Sequence, residues 1–190
     1  MIIVWITWTL GAGKGTIVEY LVQHKGFIHY SVRAFLIEEI EKQGMPINRD
    51  AMVHVGNELR AEHGSSYIVE QLYEQARSGG RHAIIESIRN PGEVQALKAK
   101  AAQENGDFTL LAIDADPKIR YERIMERGSE TDHVGYQEFI MNEQREMTNT
   151  DPNKQNVGAC IALADYRLTN NGTIEELHEQ IEKVLTKIHI

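Results

Sequence analysis

Ile2-Ile3-Val4-Trp5-Ile6-Thr7-Trp8-Thr9-Leu10-Gly11-Ala12-Gly13-Lys14-Gly15-Thr16 is the stretch that decides the fold. Its apolar, β-forming run from Ile2 to Thr7 stops at a glycine-containing turn, which predicts a buried strand. A helix is predicted over about residues 14–25, with Ile17, Val18, Leu21 and Val22 on one face. Strand, glycine loop and helix in that order are what a phosphate-binding loop requires. Glycines let successive backbone N–H groups turn inward around phosphate oxygens, and the helix N-terminus adds partial positive charge. Gly11, Ala12, Gly13, Lys14, Gly15 and Thr16 are therefore candidate nucleotide-binding residues, with Lys14 reaching toward the β and γ phosphates.

Two places depart from the general pattern G-x-x-x-x-G-K-[ST]. Gly15 follows Lys14, so the hydroxyl that usually touches Mg²⁺ is missing there. Thr16, one residue further on, is better placed for an α-phosphate and is only a weak candidate for Mg²⁺; the ion would depend on nucleotide oxygens, water and nearby acids. Trp8 stands where the pattern has its first glycine. Either the backbone there needs a glycine-only conformation and the indole is strained, or the ring fills a gap beside the nucleotide. Trp5 reads as a packed core residue.

Further strands are expected at Phe27 to Tyr30, His82 to Glu86, Phe108 to Asp114 and Tyr166 to Thr169. Helical spacing appears at about 33–42, at 50–63 with Met52, Val55 and Leu59, and at 66–77 with Ile68, Val69, Leu72, Tyr73 and Ala76. Asn90-Pro91-Gly92-Glu93 and Asp116-Pro117 each supply a cap and a proline for a helix start. One helix, Tyr136 to Met147, is expected within the polar stretch 128–156. Thr173…Glu176 forms a capping box for a last helix with Ile174, Leu177, Ile181, Val184 and Ile188 inward. Strands alternating with helices predict an α/β architecture: a doubly wound, five-stranded parallel sheet with helices on both faces. Ligands in such sheets bind beyond the carboxyl ends of the strands.

The chain has 190 residues, 42% hydrophobic and 25% charged, which excludes a disordered or fibrous protein. A single cysteine, Cys160, cannot form an internal disulfide, so a reducing, cytoplasmic setting is expected. The longest uncharged stretch, Met1 to Gly13, has 13 residues, short of the roughly 20 a spanning helix needs. It also lacks a basic start and a cleavage site, so neither a membrane span nor a signal peptide is expected. With 20 basic and 28 acidic residues the net charge is −8, which argues against duplex nucleic acid as the main partner. A local basic cluster can still hold a small anion.

Beyond the loop, several segments together resemble archaeal and bacterial P-loop proteins related to adenylate kinases and similar to dephospho-CoA kinases. They are Leu10 to Thr16, Glu58-Leu59-Arg60, Ile85-Glu86-Ser87-Ile88-Arg89 with Pro91-Gly92-Glu93-Val94, Asp114-Ala115-Asp116-Pro117, Arg123…Arg127-Gly128, and Ala162 to Tyr166 with Asn171-Gly172-Thr173. The resemblance covers nearly the whole chain. It implies a P-loop NTPase fold with a helical acceptor-binding insertion over 32–78 and a lid over 128–156. It implies ATP and Mg²⁺ as cofactors. Nucleoside monophosphate kinases carry a D-G-x-x-R-like segment at the end of the third strand. By that likeness Arg89 would hold the acceptor phosphate and Glu86 would order Mg²⁺ through water. A planar guanidinium suits a two-pronged grip on phosphate. Arg123 and Arg127, four residues apart, match an arginine pair that would contact the nucleotide and the transferring group. A solvated, charge-paired helix face, with Glu122 and Glu126, is the competing reading. Arg145 is a further lid candidate, and Arg60 sits in the insertion where acceptors bind. Tyr30 to Ile37 departs from adenylate kinases in lacking an acid and a later arginine, for which Arg33 is the candidate substitute.

Other constellations fail. The eight histidines include no H-E-x-x-H, and one cysteine cannot build a cysteine-rich zinc site. Asn153-Lys154-Gln155-Asn156 lacks the carboxylate of N-K-x-D, and no G-x-S-x-G elbow exists. The expectation is a kinase moving the γ-phosphoryl of ATP to a small acceptor. A nucleoside monophosphate comes first and dephospho-CoA second. A nucleotide-binding regulator or assembly ATPase without acceptor chemistry is the alternative from another class. Monomer and homodimer are both open.

Overall fold

Alternate residues of the first strand serve two different cores, and this sets the whole architecture. β1 (Ile3–Trp8) sends Ile3 and Trp5 to one face of the sheet and Val4 and Ile6 to the other. A strand buried on both faces reads as a continuous apolar run, as this one does. The computed structural model describes residues 1–104, 106–128, 134–149 and 154–190. Its sheet has five parallel strands in the order β2-β3-β1-β4-β5, with β2 at Ile28–Tyr30, β3 at Ala83–Glu86, β4 at Phe108–Asp114 and β5 at Tyr166–Thr169. All five fall where the sequence places them.

On the face of Val4 and Ile6 lie α1 (Lys14–Lys25) and α9 (Ile174–Lys187), burying Ile17, Leu21, Leu177 and Ile181. The buried stripes are narrower than expected at their edges: Val22 and Ile174 are exposed, while Leu185 is buried. On the face of Trp5 lie α2 (Val32–Lys42), α3 (Arg49–His63), α4 (Tyr67–Gly79) and α5 (Pro91–Gln103). Trp5 is fully buried between Tyr73 and Phe108, ring centroids 6.2 and 6.0 Å away, in the core role expected of it. The span 32–78 is occupied by α2, α3 and nearly all of α4.

After β4 come α6 (Pro117–Arg127) and α7 (Tyr136–Met147). A short α8 (Val157–Ala162), absent from the sequence reading, carries the buried Cys160. Of the lid expected over 128–156, residues 129–133 and 150–153 lie outside the described residues. The part described is docked on the body: Phe139 of α7 is buried, and the Tyr121 ring lies tilted against it, centroids 5.6 Å apart. No described helix is long and apolar enough to cross a membrane.

Candidate active site

Four chain segments meet at the carboxyl ends of the strands. The first is the loop between β1 and α1. Gly11 and Gly13 have φ of 82° and 96°, the left-handed region that side chains rarely adopt. A Cβ at Gly11 would sit 2.7 Å from the Arg120 carbonyl, and one at Gly13 would collide with the Asn170 amide. The Ala12 N–H donates to the Thr9 carbonyl at 3.0 Å, and Gly13 caps α1 without using a side chain. The loop borders a cavity of about 220 Å³, lined by Trp8, Gly11 to Gly15, Arg123 and Arg127. Thr16 lies in the first turn of α1, its N–H bonded to the Gly13 carbonyl at 3.1 Å, and does not border that cavity.

The second segment follows β3. Glu86 is buried, its carboxylate paired with Lys14 Nζ on one oxygen and 3.4 Å from His29 Nε2 on the other. Burial pulls the Lys14 ammonium below its ordinary proton affinity, and the charges of Arg89 and Arg127 push the same way. Burial and the Lys14 charge also lower His29. Ser87 then takes φ 82°, and Arg89 swings over the Trp8 ring, Cζ 4.7 Å from its centroid. Arg89 also donates to Glu146 of α7 at 2.9 Å. Glu93 is buried beneath, accepting from the N–H groups of Arg89 and Asn90 at 3.1 and 3.2 Å; burial raises its pKa against those bonds.

Arg89 borders a second, larger cavity of about 560 Å³, together with Arg60, Arg145, Lys154, Asn57 and Ser87. Four cationic side chains from α3, the β3–α5 loop, α7 and the segment before α8 converge there. Arg60, Arg89 and Arg145 are therefore brought together. Arg33 is exposed at the start of α2 and does not border this cavity. It sits one residue beyond Val32, which does line it, so the helix turn carries Arg33 outward.

The last two segments hold the loop from below. Asn170, after β5, donates its amide to the Ala12 carbonyl at 2.9 Å and accepts from Arg123 at its own carbonyl, also at 2.9 Å. Thr9 Oγ1 donates to Asp114 at 2.5 Å. Arg120 is buried and joins three elements, donating to the Ala115 carbonyl at 2.7 Å and the Leu10 carbonyl at 3.1 Å and pairing with Glu143. Arg120, Asn170 and His29 escaped the sequence reading as site residues. Only Arg120 carried a signal, its spacing of three from Arg123.

Trp8 is an ordinary strand residue, in register with Ile113, and is not among the residues with positive φ. Of the two readings of this position, backbone strain is thereby removed. Its ring is half-buried and has two cations on it, Arg89 and Lys14, whose Nζ is 4.8 Å from the centroid.

Among known proteins, an AAA domain family matches residues 10–139. The UPF0200 protein PH1008 of Pyrococcus horikoshii is 30% identical over 181 residues, covering 94% of this chain and 92% of the relative. TT1252 from Thermus thermophilus aligns with a TM-score of 0.61 at 18% identity, covering 98% of this chain and 97% of that one. Shikimate kinase from Bacteroides thetaiotaomicron aligns at 0.54 and 10% identity, covering 100% and 99%. These structural likenesses concern the fold, a parallel α/β sheet of the P-loop kinase type. The chain belongs to the AAA domain family, as a P-loop kinase-like domain related to the UPF0200 proteins.

Proposed function

We propose that the protein is an ATP-dependent phosphotransferase that moves the γ-phosphoryl of ATP to a small phosphate-bearing acceptor. A nucleoside monophosphate is the first expectation and dephospho-CoA the second. One observation carries this reading: Lys14 of the glycine-loop cavity and Arg89 of the arginine-lined cavity rest on the same ring, that of Trp8. Two anion sites brought together at one ring suit transfer from ATP to a phosphate-bearing acceptor.

In this reading the backbone of Gly11 to Gly15 cradles the ATP phosphates, and Arg123 and Arg127 border the same cavity as further cations. Lys14 exchanges Glu86 for the β and γ phosphates. Arg89, with Arg60, holds the acceptor phosphate so that the acceptor's nucleophile, a phosphate oxygen in a nucleoside monophosphate or a ribose hydroxyl losing its proton in dephospho-CoA, attacks the γ phosphorus in line as the bond to ADP breaks. Such transfer needs positioning and charge neutralisation more than covalent chemistry. α7, docked beside the site through Phe139 and the Arg120–Glu143 pair, helps to exclude water.

Mg²⁺, when bound with the nucleotide, would neutralise phosphate charge there. Among the described residues no group of three or more His, Cys, Asp or Glu could hold a metal ion. A Cβ at Gly15 would meet nothing within 4 Å, leaving open space where the usual hydroxyl would stand. The residues fit an ion carried on the nucleotide, with Glu86 reaching it through water; Thr16, the weaker candidate, does not border the cavity.

The alternative is a nucleotide-binding regulator or assembly ATPase. It is favoured by the internal pairing of both cations, Lys14 with Glu86 and Arg89 with Glu146. Arg89→Met separates the two readings. Loss of charged hydrogen bonds to an acceptor phosphate costs about 1.5–3 kcal/mol, so the acceptor KM should rise roughly 10- to 100-fold while the ATP Kd changes little. A regulator instead shows no acceptor-dependent turnover in either protein.

A further inference from the structure

The direction of the peptide between Ala12 and Gly13 decides whether this part of the glycine loop offers a phosphate a donor or an acceptor. In a planar trans peptide the C=O and N–H point opposite ways. Gly13 has φ 96° and ψ 24°, and glycine tolerates either sign of φ, so the backbone alone does little to stop this peptide turning over. Asn170, buried just after β5, supplies the missing constraint. Its Nδ2 donates to the Ala12 carbonyl at 2.9 Å from a position that does not border the 220 Å³ cavity, which Ala12 and Gly13 do border. The carbonyl is thus drawn to the buried side of the loop, and the Gly13 N–H is turned the other way, toward the cavity. The oxygen of the same amide accepts from Arg123 Nη2 at 3.4 Å, and the Asn170 carbonyl accepts from Arg123 Nη1 at 2.9 Å. A guanidinium carries only donors, so Arg123 sets which end of the amide faces Ala12. The Asn170 N–H, donating to the Asp114 carbonyl at 2.8 Å, ties the residue to the sheet.

We propose that Asn170 is a positioning residue for ATP: its side-chain amide holds the Ala12–Gly13 peptide with the N–H toward the phosphates. The proposal rests on the reading of the glycine loop as the ATP site and is independent of the acceptor. Were the peptide to turn over, the Ala12 carbonyl would face the phosphate oxygens, and an attraction would become a repulsion. The position calls for an amide because one end must donate to Ala12 while the other accepts from Arg123. A carboxylate of the same shape keeps the second contact and sets an oxygen against the Ala12 carbonyl.

The test compares the wild-type chain with Asn170→Ala and Asn170→Asp. The ATP Kd is measured by equilibrium dialysis with Mg²⁺, and the Gly13 amide proton is followed by NMR as a non-hydrolysable ATP analogue is added. In the wild type that proton should move downfield as it bonds to a phosphate oxygen. Both variants should lose the movement, and the ATP Kd should rise about tenfold or more in Asn170→Ala. Asn170→Asp keeps the volume and the Arg123 contact, so it carries the test if the alanine variant does not fold. A residue that only supports the fold would lower the unfolding midpoint and leave the Gly13 movement intact in the folded protein. An ATP Kd within about twofold of wild type in Asn170→Ala overturns the proposal. So does a full Gly13 movement in either variant. These losses in a protein that phosphorylates no acceptor reject the kinase reading alone. Acceptor phosphorylation with ATP affinity unchanged in Asn170→Ala rejects this proposal alone, and absence of ATP binding to the wild type overturns both.

Discussion

Ser87 adopts φ 82° without being glycine, at the point where β3 ends and the chain turns to place Glu86 against Lys14 and Arg89 over Trp8. A non-glycine residue held in that region costs on the order of 1 kcal/mol or more and marks a functional turn. Ser87→Gly should therefore raise stability by about 1 kcal/mol in urea unfolding, while Ser87→Val lowers it; equal midpoints for all three proteins would show that the turn is unstrained. Cys160 makes a different point. It is fully buried, and burial together with the Glu93 charge pushes its thiol up to about 12. At pH 8 only about one native thiol in ten thousand is ionised. An aromatic disulfide reagent should label it only after unfolding, and rapid labelling of the native chain would contradict that burial.

Elements announced themselves in the sequence where a local device and a period coincided. Asn90-Pro91, Asp116-Pro117 and the Thr173…Glu176 box each cap the helix that begins there. The β-forming runs pair in the parallel order that alternation with helices implies. Val157–Ala162 was illegible because six residues including Gly158 show no period, and Asn156, its cap, was the only signal. The glycine loop was legible as a site because its residues are contiguous. The pairing of Lys14 with Glu86 spans 72 positions, and that of Arg120 with Glu143 joins α6 to α7; neither has a sequence pattern. Arg120 is the joint at this scale, linking the glycine loop, the β4–α6 turn and α7 from a buried position. Arg120→Met leaves Glu143 without its partner and should lower stability by about 3 kcal/mol, with Arg120→Met/Glu143→Gln recovering part of the loss. A loss under about 1 kcal/mol would show that α7 docks through Phe139 without this pair.

Across the whole molecule the net charge of −8 describes the average surface and not the cleft. Lys14, Arg60, Arg89, Arg123, Arg127, Arg145 and Lys154 border two cavities, the larger also lined by Glu93 and Glu146, while acids such as Glu175 and Glu179 lie on the last helix and line neither. An acidic exterior around a basic cleft favours small anions over long ones. We propose that this cleft transfers a phosphoryl group from ATP to a small phosphate-bearing acceptor. ADP release from ATP and Mg²⁺ with a panel of nucleoside monophosphates and dephospho-CoA, run on the wild type and on Lys14→Met, tests this. ADP release should depend on one acceptor and fall about 10²- to 10³-fold in Lys14→Met, since that charge acts chiefly in the transition state. ADP release that no acceptor stimulates, or turnover unchanged in Lys14→Met, would contradict it.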